Sequence, residues 1–375
     1  MTPGSMRTLA EHHGDKTNNF TLLRLVLALV VLVGHAFPIT GNGTDPLSEA
    51  MLPYAWIGSV AVAGFFAVSG LLVTSSFQSR GVLFFAVSRG LRLYPAVIAY
   101  SFVAILVIGP LAVDVPLKQY FDANPWDNFR NSLLWAWDRN LPYAFSTNPL
   151  PGSTNGSAWT LPVELRCYLM VLMLGFFGVL EKRGRANVAL LALLYFTYQP
   201  FDGWALFGES ERFLEPLRFF LVGALFWVNR QWVRLGWIMA ALAMAALLLS
   251  AKFDFRFLEL YPVLLTYVLL VLAFKTPVIG LDRFGDISYG VYLYAWPIQQ
   301  LVWEPGQSAL ANIALSLPVV LVLAYLSWRM VEKPAMSLRR YLVRPGIRAG
   351  GNLPPRAESA TLDVGPASAA GTRPD

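Results

Sequence analysis

The sequence predicts an all-α polytopic membrane protein with about ten transmembrane helices. Three observations carry that expectation. The chain is 56% hydrophobic and only 14% charged, whereas a soluble domain carries about 25% charged residues. Apolar runs of about 20 residues recur along its 375 residues, each long enough as a helix to cross a hydrocarbon core of about 30 Å. No long hydrophilic block separates the runs, which excludes a soluble enzyme held by a single anchor.

Taken in order, the runs place spans at Phe20–Pro38, Tyr54–Phe77, Leu91–Val113, Trp159–Leu180 and Ala186–Gln199. The second half adds Phe213–Val228, Leu235–Ala251, Phe257–Phe274, Ile287–Trp303 and Ala309–Val331. The first run follows about twenty polar residues and has no small-residue cleavage site, so it reads as a true span and not a removed leader. Together they form one domain over residues 1–345. Residues 346–375, rich in Pro, Ala, Gly and Ser, are expected to be a disordered cytoplasmic tail. No internal repeat is evident.

Charge sets the expected orientation. With the N-terminus in the cytoplasm, one set of connections holds Arg80, Arg89, Arg92, Lys182, Arg183, Arg185, Arg230, Arg234, Lys275 and Arg283, then Lys333, Arg339, Arg340 and Arg344. The opposite set holds Lys118, Arg130, Arg139, Arg212, Lys252 and Arg256. This bias places both termini inside. One outward connection is long, Asp114 to Ala158. Its "NPWDNFRNSLLWAWDRN" stretch, Asn124 to Asn140, reads as an amphipathic interfacial helix, either a packing lid or part of a substrate site. The single Cys167 excludes an internal disulfide and any multi-cysteine metal site, and it reads as a buried inert thiol. No metal site and no nucleic-acid partner is expected.

The polar residues inside apolar runs carry the chemistry. "NNFTLLRLVLALVVLVGHAFPI", Asn18 to Ile39, holds Arg24 and His35. An ionisable group in lipid is costly unless it faces a partner or water. Their spacing of eleven residues is about three helical turns, so they share a face, ~16 Å apart along the axis. That face turns toward a cavity, or else Arg24 snorkels to one membrane surface and His35 sits at the other. His35 is the only histidine outside the polar N-terminal tail, where His12 and His13 lie, and imidazole takes a proton near neutral pH. "SRGLRLYP", Ser88 to Pro95, sets Arg89 and Arg92 one turn apart at the inner start of the third span. Paired guanidinium groups suit phosphate, although they also serve as ordinary cytoplasmic anchors. "NGSAWTLPVELRCY", Asn155 to Tyr168, brings Glu164 into the fourth span, where His35 or Arg24 could partner it, while Arg166 points to another face.

These stretches together resemble the acyltransferase 3 family of integral membrane O-acyltransferases. Arg24 and His35 fit its opening signature, a basic residue, ten residues, then His. "FFAVSGLL" (Phe65 to Leu72), the Arg89/Arg92 pair and "NGSAWTLPVE" with Glu164 are similar to further family elements. "ISYGVYLYAWPIQ" from Ile287 and "VEKP" from Val331 complete the order. The sequence departs at Ala295, where many members carry a second His.

The resemblance implies transfer of an acyl group, expected to be acetyl, from acyl-CoA to a hydroxyl of a cell-surface saccharide or glycolipid, by a multi-pass protein of a bacterial inner membrane. The bilayer, the acyl-CoA co-substrate and an extracytoplasmic acceptor are the implied partners, with no permanently bound cofactor. His35 is the expected general base. Arg89 and Arg92 would hold the phosphates of acyl-CoA, Arg24 would bind the donor or steady negative charge, and Glu164 would orient His35 or stabilise its imidazolium. Ser69 reads as a small packing residue rather than an acyl carrier. Asp286 and Glu332 read as caps or partners of Arg residues. The Asn155–Ser157 sequon is discounted. Trp126, Trp135 and Trp137 either stack on sugar rings or anchor the interface. A transporter or flippase of glycans or lipids is the competing class, and a non-catalytic assembly partner is favoured only by Ala295.

Overall fold

The computed structural model describes residues 7–14, 18–51, 56–199, 211–253 and 259–342. No β-strand occurs among them. Their principal helices are α1 (Phe20–Thr40), α2 (Ile57–Arg80), α3 (Val82–Val103), α4 (Thr160–Phe176) and α5 (Arg183–Tyr198). The series continues with α6 (Glu211–Val228), α7 (Trp237–Phe253), α8 (Tyr261–Lys275), α9 (Ser288–Leu301) and α10 (Ala309–Ser327). Among the described residues, four helical stretches are long and apolar enough to cross a membrane: Phe20–Thr40, Ile57–Arg80, Val82–Ala112 and Ala309–Leu342. Trp237–Ser250 and Tyr261–Lys275 are shorter apolar helices. The architecture is that of an all-helical membrane protein. The expected tail, residues 346–375, lies outside the described residues.

α2 is the central post, packed by α1, α6, α8, α4 and α3. Its crossing with α6 brings backbones together at two glycines. A Cβ on Gly70 would stand 1.9 Å from the Phe220 carbonyl oxygen, and one on Gly223 would stand 2.1 Å from that of Ala67. Apolar burial gives little drive between helices in lipid, so close small-residue packing takes its place.

Two expectations are corrected. The third helix begins at Val82, where Gly81 at φ 79 ends α2 and turns the chain, and not at Leu91. Arg89 and Arg92 therefore lie inside α3 and not at its start. Beyond Val103 the helix widens into a π-turn, Ala104–Ile108, before Gly109–Ala112. The Tyr120 hydroxyl donates to the Ile105 carbonyl at 2.9 Å, and glycine at position 109 leaves room for it.

The stretch Asn124–Asn140 is not one amphipathic helix. It holds a 3-10 segment, Pro125–Leu133, bounded by Asn124 and Leu134 with φ 55 each, and irregular chain beyond. A left-handed residue at each end stops an α-helix from propagating through the segment. Trp126 and Trp135 are exposed. Trp137 turns inward, stacks on Tyr100 at 6.2 Å and donates to the Asn155 carbonyl at 3.1 Å.

The short helix Leu9–Gly14 docks at the Phe20 end of the bundle. The Leu9 amide donates to Val233 at 2.7 Å, and the His12 and His13 rings meet Phe274 and Trp227. Both tail histidines are packed there, away from His35.

Gly70→Ala and Gly223→Ala should each destabilise the protein by about 2 kcal/mol or more, because the obstructing atom is backbone and cannot rotate away. Thermal unfolding in detergent reads this directly, with Gly90→Ala, whose Cβ meets nothing within 4 Å, as the neutral control.

Candidate functional site

Three elements distant in sequence meet at one carboxylate. Arg24 Nη1 from α1 and Arg92 Nη2 from α3 each lie 2.8 Å from Asp286 Oδ2. The other oxygen, Oδ1, accepts from the Ser288 amide and hydroxyl, at the first turn of α9. The Asp286 side chain is only 12% exposed. Burial alone would raise its pKa, but Arg24 and Arg92 outweigh burial and hold the carboxyl well below the usual carboxylate range. The structure shows Asp286 in both roles the sequence allowed it, pairing with arginines and accepting the Ser288 amide at the start of α9.

Beside this cluster lies a cavity of about 60 Å³, lined by Arg24, Arg92, Glu164, Ser69, Thr160 and Ser288 with Phe65, Phe66, Tyr289 and Tyr292 among its walls. Glu164 accepts the Tyr168 hydroxyl. The Tyr168 ring in turn receives the Arg89 guanidinium at 5.5 Å, and Phe85 flanks it at 5.8 Å. Arg89 and Arg92 thus diverge: Arg92 enters the cavity, and Arg89 stacks outside it on a tyrosine that leads to Glu164. At the same end, Arg80 and Arg339 lie over Phe84 at 4.7 and 5.0 Å, and Arg339 feels the charge of Arg89.

His35 opens into a second cavity of about 120 Å³, with Trp56, Ser59, Ser157, Trp159, Glu215 and Phe219 on its walls. Trp56 and Trp296 meet the imidazole ring with centroids 4.9 and 4.8 Å away. The face shared by Arg24 and His35 does turn inward, yet the two residues serve different cavities. Of the two partners considered for Glu164, Arg24 shares its cavity and His35 does not. The carboxylate beside His35 is Glu215 of α6.

The chain before α4 folds into the bundle to close this second cavity. Thr154, Asn155, Ser157 and Ala158 are buried although their backbone is irregular. Irregular backbone at such depth requires internal partners, and Asn155 supplies them. Its amide donates to Leu293 O at 2.9 Å, and its carbonyl oxygen accepts from the Ser157 hydroxyl and amide and from the Ala158 amide. Tyr292 donates to Ser157 O at 2.7 Å and meets the Thr160 hydroxyl at 2.6 Å. Gly156 makes room for Trp296, whose indole lies where a Cβ would be. The sequon is therefore a buried structural motif.

Ala295 is buried, and the Trp296 ring that follows it meets His35. Cys167 is fully buried, as expected of an inert thiol. Tyr292, Trp56, Trp159 and Glu215 were missed by sequence reasoning. Trp159 and Tyr292 lay inside the quoted NGSAWTLPVE and ISYGVYLYAWPIQ stretches, whereas Glu215 shares its helix with Glu211, Arg212 and Arg218 and had nothing to single it out.

Residues 17–329 match the acyltransferase 3 family, described as an acyltransferase domain. An O-acetyl transferase of Shigella phage Sf6 is 30% identical over 333 residues, covering 85% of this chain and 96% of the relative. Nodulation protein 10 of Rhizobium leguminosarum bv. viciae is 30% identical over 365 residues, covering 89% of this chain and 97% of the relative. No solved structure gives a significant match.

Replacing Asp286 by Ala leaves two mostly buried guanidinium groups facing each other without the carboxylate that pairs with both, a loss of about 3–5 kcal/mol. Thermal unfolding of Asp286→Ala against wild type in detergent measures it, and Asp286→Glu should restore part of the difference.

Proposed function

We propose that this chain, which belongs to the acyltransferase 3 family and is a membrane acyltransferase, moves an acyl group, acetyl by expectation, from acyl-CoA to a hydroxyl of a cell-surface saccharide or glycolipid. Family membership decides between the enzyme and transporter classes in favour of the enzyme. The observation that carries the finer reading is the pairing of two adjoining cavities, one walled by Arg24, Arg92 and Glu164, the other by His35 and aromatic rings.

The donor binds at the Phe20 end. Arg89, with Arg80 and Arg339 close by, presents positive charge there for the phosphates of acyl-CoA. Arg92 and Arg24, held by Asp286, sit deeper, where the thioester end arrives. Glu164 acts in this donor cavity, whose wall it shares with Arg24 and Arg92. The acceptor occupies the His35 cavity, where Trp56 and Trp159 offer ring faces and edges to a sugar.

His35 takes the proton of the acceptor hydroxyl as its oxygen attacks the thioester carbonyl. General-base help of this kind is worth about 10²–10⁴-fold. The charge bias of the connections sets the Phe20 end in the cytoplasm of a bacterial inner membrane, with ten crossings and both termini inside.

His35→Ala should lower acyl transfer from acetyl-CoA about a hundredfold or more while the protein still elutes as a folded species. Turnover at the wild-type rate would remove His35 from the base role. Arg89→Ala should raise the apparent KM for acetyl-CoA about tenfold, the loss of one charge-assisted contact, with kcat little changed. Mass spectrometry of surface glycans and glycolipids from cells with and without the protein would name the acceptor. An unchanged glycan and glycolipid profile would overturn the acceptor class.

A further inference from the structure

The two cavities share two lining residues, Val62 and Tyr292. Three helices switch from one cavity to the other at the same depth. On α2, Ser59 and Ala63 line the His35 side while Phe65 and Ser69 line the arginine side, with Val62 on both. At the start of α4, Trp159 faces the His35 cavity and Thr160 the arginine cavity. On α9, Ser288 and Tyr289 face the arginines, and Tyr292 borders both.

We infer that Val62 and Tyr292 form the neck through which the acyl group reaches the acceptor, and that the size of residue 62 sets the acyl-chain length. This rests on the proposed donor and acceptor sides. Tyr292 is a fixed wall, because its hydroxyl is tied to Ser157 O and to Thr160, and its ring meets Phe65 edge-on at 6.0 Å. Val62 is the variable wall, an aliphatic side chain with no hydrogen bonds to lose. Neither residue is charged. A neutral thioester can enter such a neck, whereas the phosphates of coenzyme A are better held by the arginines behind it.

The chemistry balances across that boundary. The acceptor oxygen bonds to the carbonyl carbon, the carbon–sulfur bond breaks, and the acceptor proton passes to His35. Coenzyme A leaves as the thiol on the arginine side, taking one proton overall. No acyl-enzyme is needed, so Ser69 remains a lining residue. In an apolar passage of fixed width, one added methylene changes rate by about 10–200-fold, so residue 62 acts as a length gauge.

The test measures thioester consumption by purified protein in bilayer discs, supplied with an extract of host surface glycolipids and with acetyl-, propionyl- or butyryl-CoA. Val62→Ala, two carbons smaller, should raise the butyryl-to-acetyl rate ratio about tenfold or more, and Val62→Ile, one methylene larger, should lower it. Val62→Phe should stop transfer from all three donors while the affinity for coenzyme A itself is unchanged. Ratios that stay at the wild-type value in the folded Ala and Ile variants overturn the inference, as does transfer by Val62→Phe at the wild-type rate. Should Val62→Phe not fold, the ratio in the two conservative variants decides. A wild-type protein that consumes no acyl-CoA removes the proposed function and this inference with it. An active wild type with an unmoved ratio removes the inference alone.

Discussion

The contact between Asp286 and the guanidinium groups of Arg24 and Arg92 organises the molecule more than any other polar interaction in it. A carboxylate and two cations cannot be buried separately, because each alone would carry a large desolvation cost. Together they neutralise most of that cost, and in doing so they tie α1, α3 and the first turn of α9 to one point. Apolar packing then sets the remaining helices around α2, whose glycine contacts with α6 need no polar partner. The rigidity of the arginine cavity follows from the triad, since two of its charged walls are immobilised before any ligand arrives.

The second constraint is the buried chain around Asn155. A backbone segment without helix or strand has amides and carbonyls to satisfy, and this one satisfies them with the Asn155 side chain, with Tyr292 and with Trp137. The same bonds that make the segment tolerable inside the bundle also shape the His35 cavity, because Ser157 and Trp159 enter its wall from there. Structure and site are thus built from one set of hydrogen bonds. The imidazole between two indoles is placed by packing, while the guanidinium groups are placed by charge.

Much of this was legible in the residues before any coordinates. Apolar runs announced each principal helix, and the eleven-residue spacing correctly turned Arg24 and His35 to the interior. What spacing along one helix cannot supply is the identity of the opposite wall. Asp286 lies 194 residues beyond Arg92, and nothing local to either residue selects one acid over another. Glu164 was the acid close to a recognisable motif, so His35 or Arg24 was expected to partner it, while the tertiary arrangement gives it Tyr168 and the cavity of Arg24 and puts Glu215 on the wall of the His35 cavity. The outer connection misled for a different reason. Its aromatic and leucine residues have the composition of an interfacial helix, but left-handed residues at Asn124 and Leu134 divide it, and Trp137 is drawn inward by Tyr100 and Asn155.

The triad also has a consequence in time. A ribosome releases Arg24 and Arg92 long before it reaches Asp286, so for most of synthesis both guanidinium groups lack their counter-ion. The same delay applies to Asn155, whose partner Leu293 belongs to α9. Helices α1 to α8 all precede α9 in the chain, so neither the arginine cluster nor the buried chain around Asn155 can close until the last quarter of the polypeptide emerges. Assembly of the working core is therefore a terminal event of biogenesis, and a nascent chain stalled ahead of α9 presents unpaired charge and unpaired backbone to the quality-control machinery of the membrane.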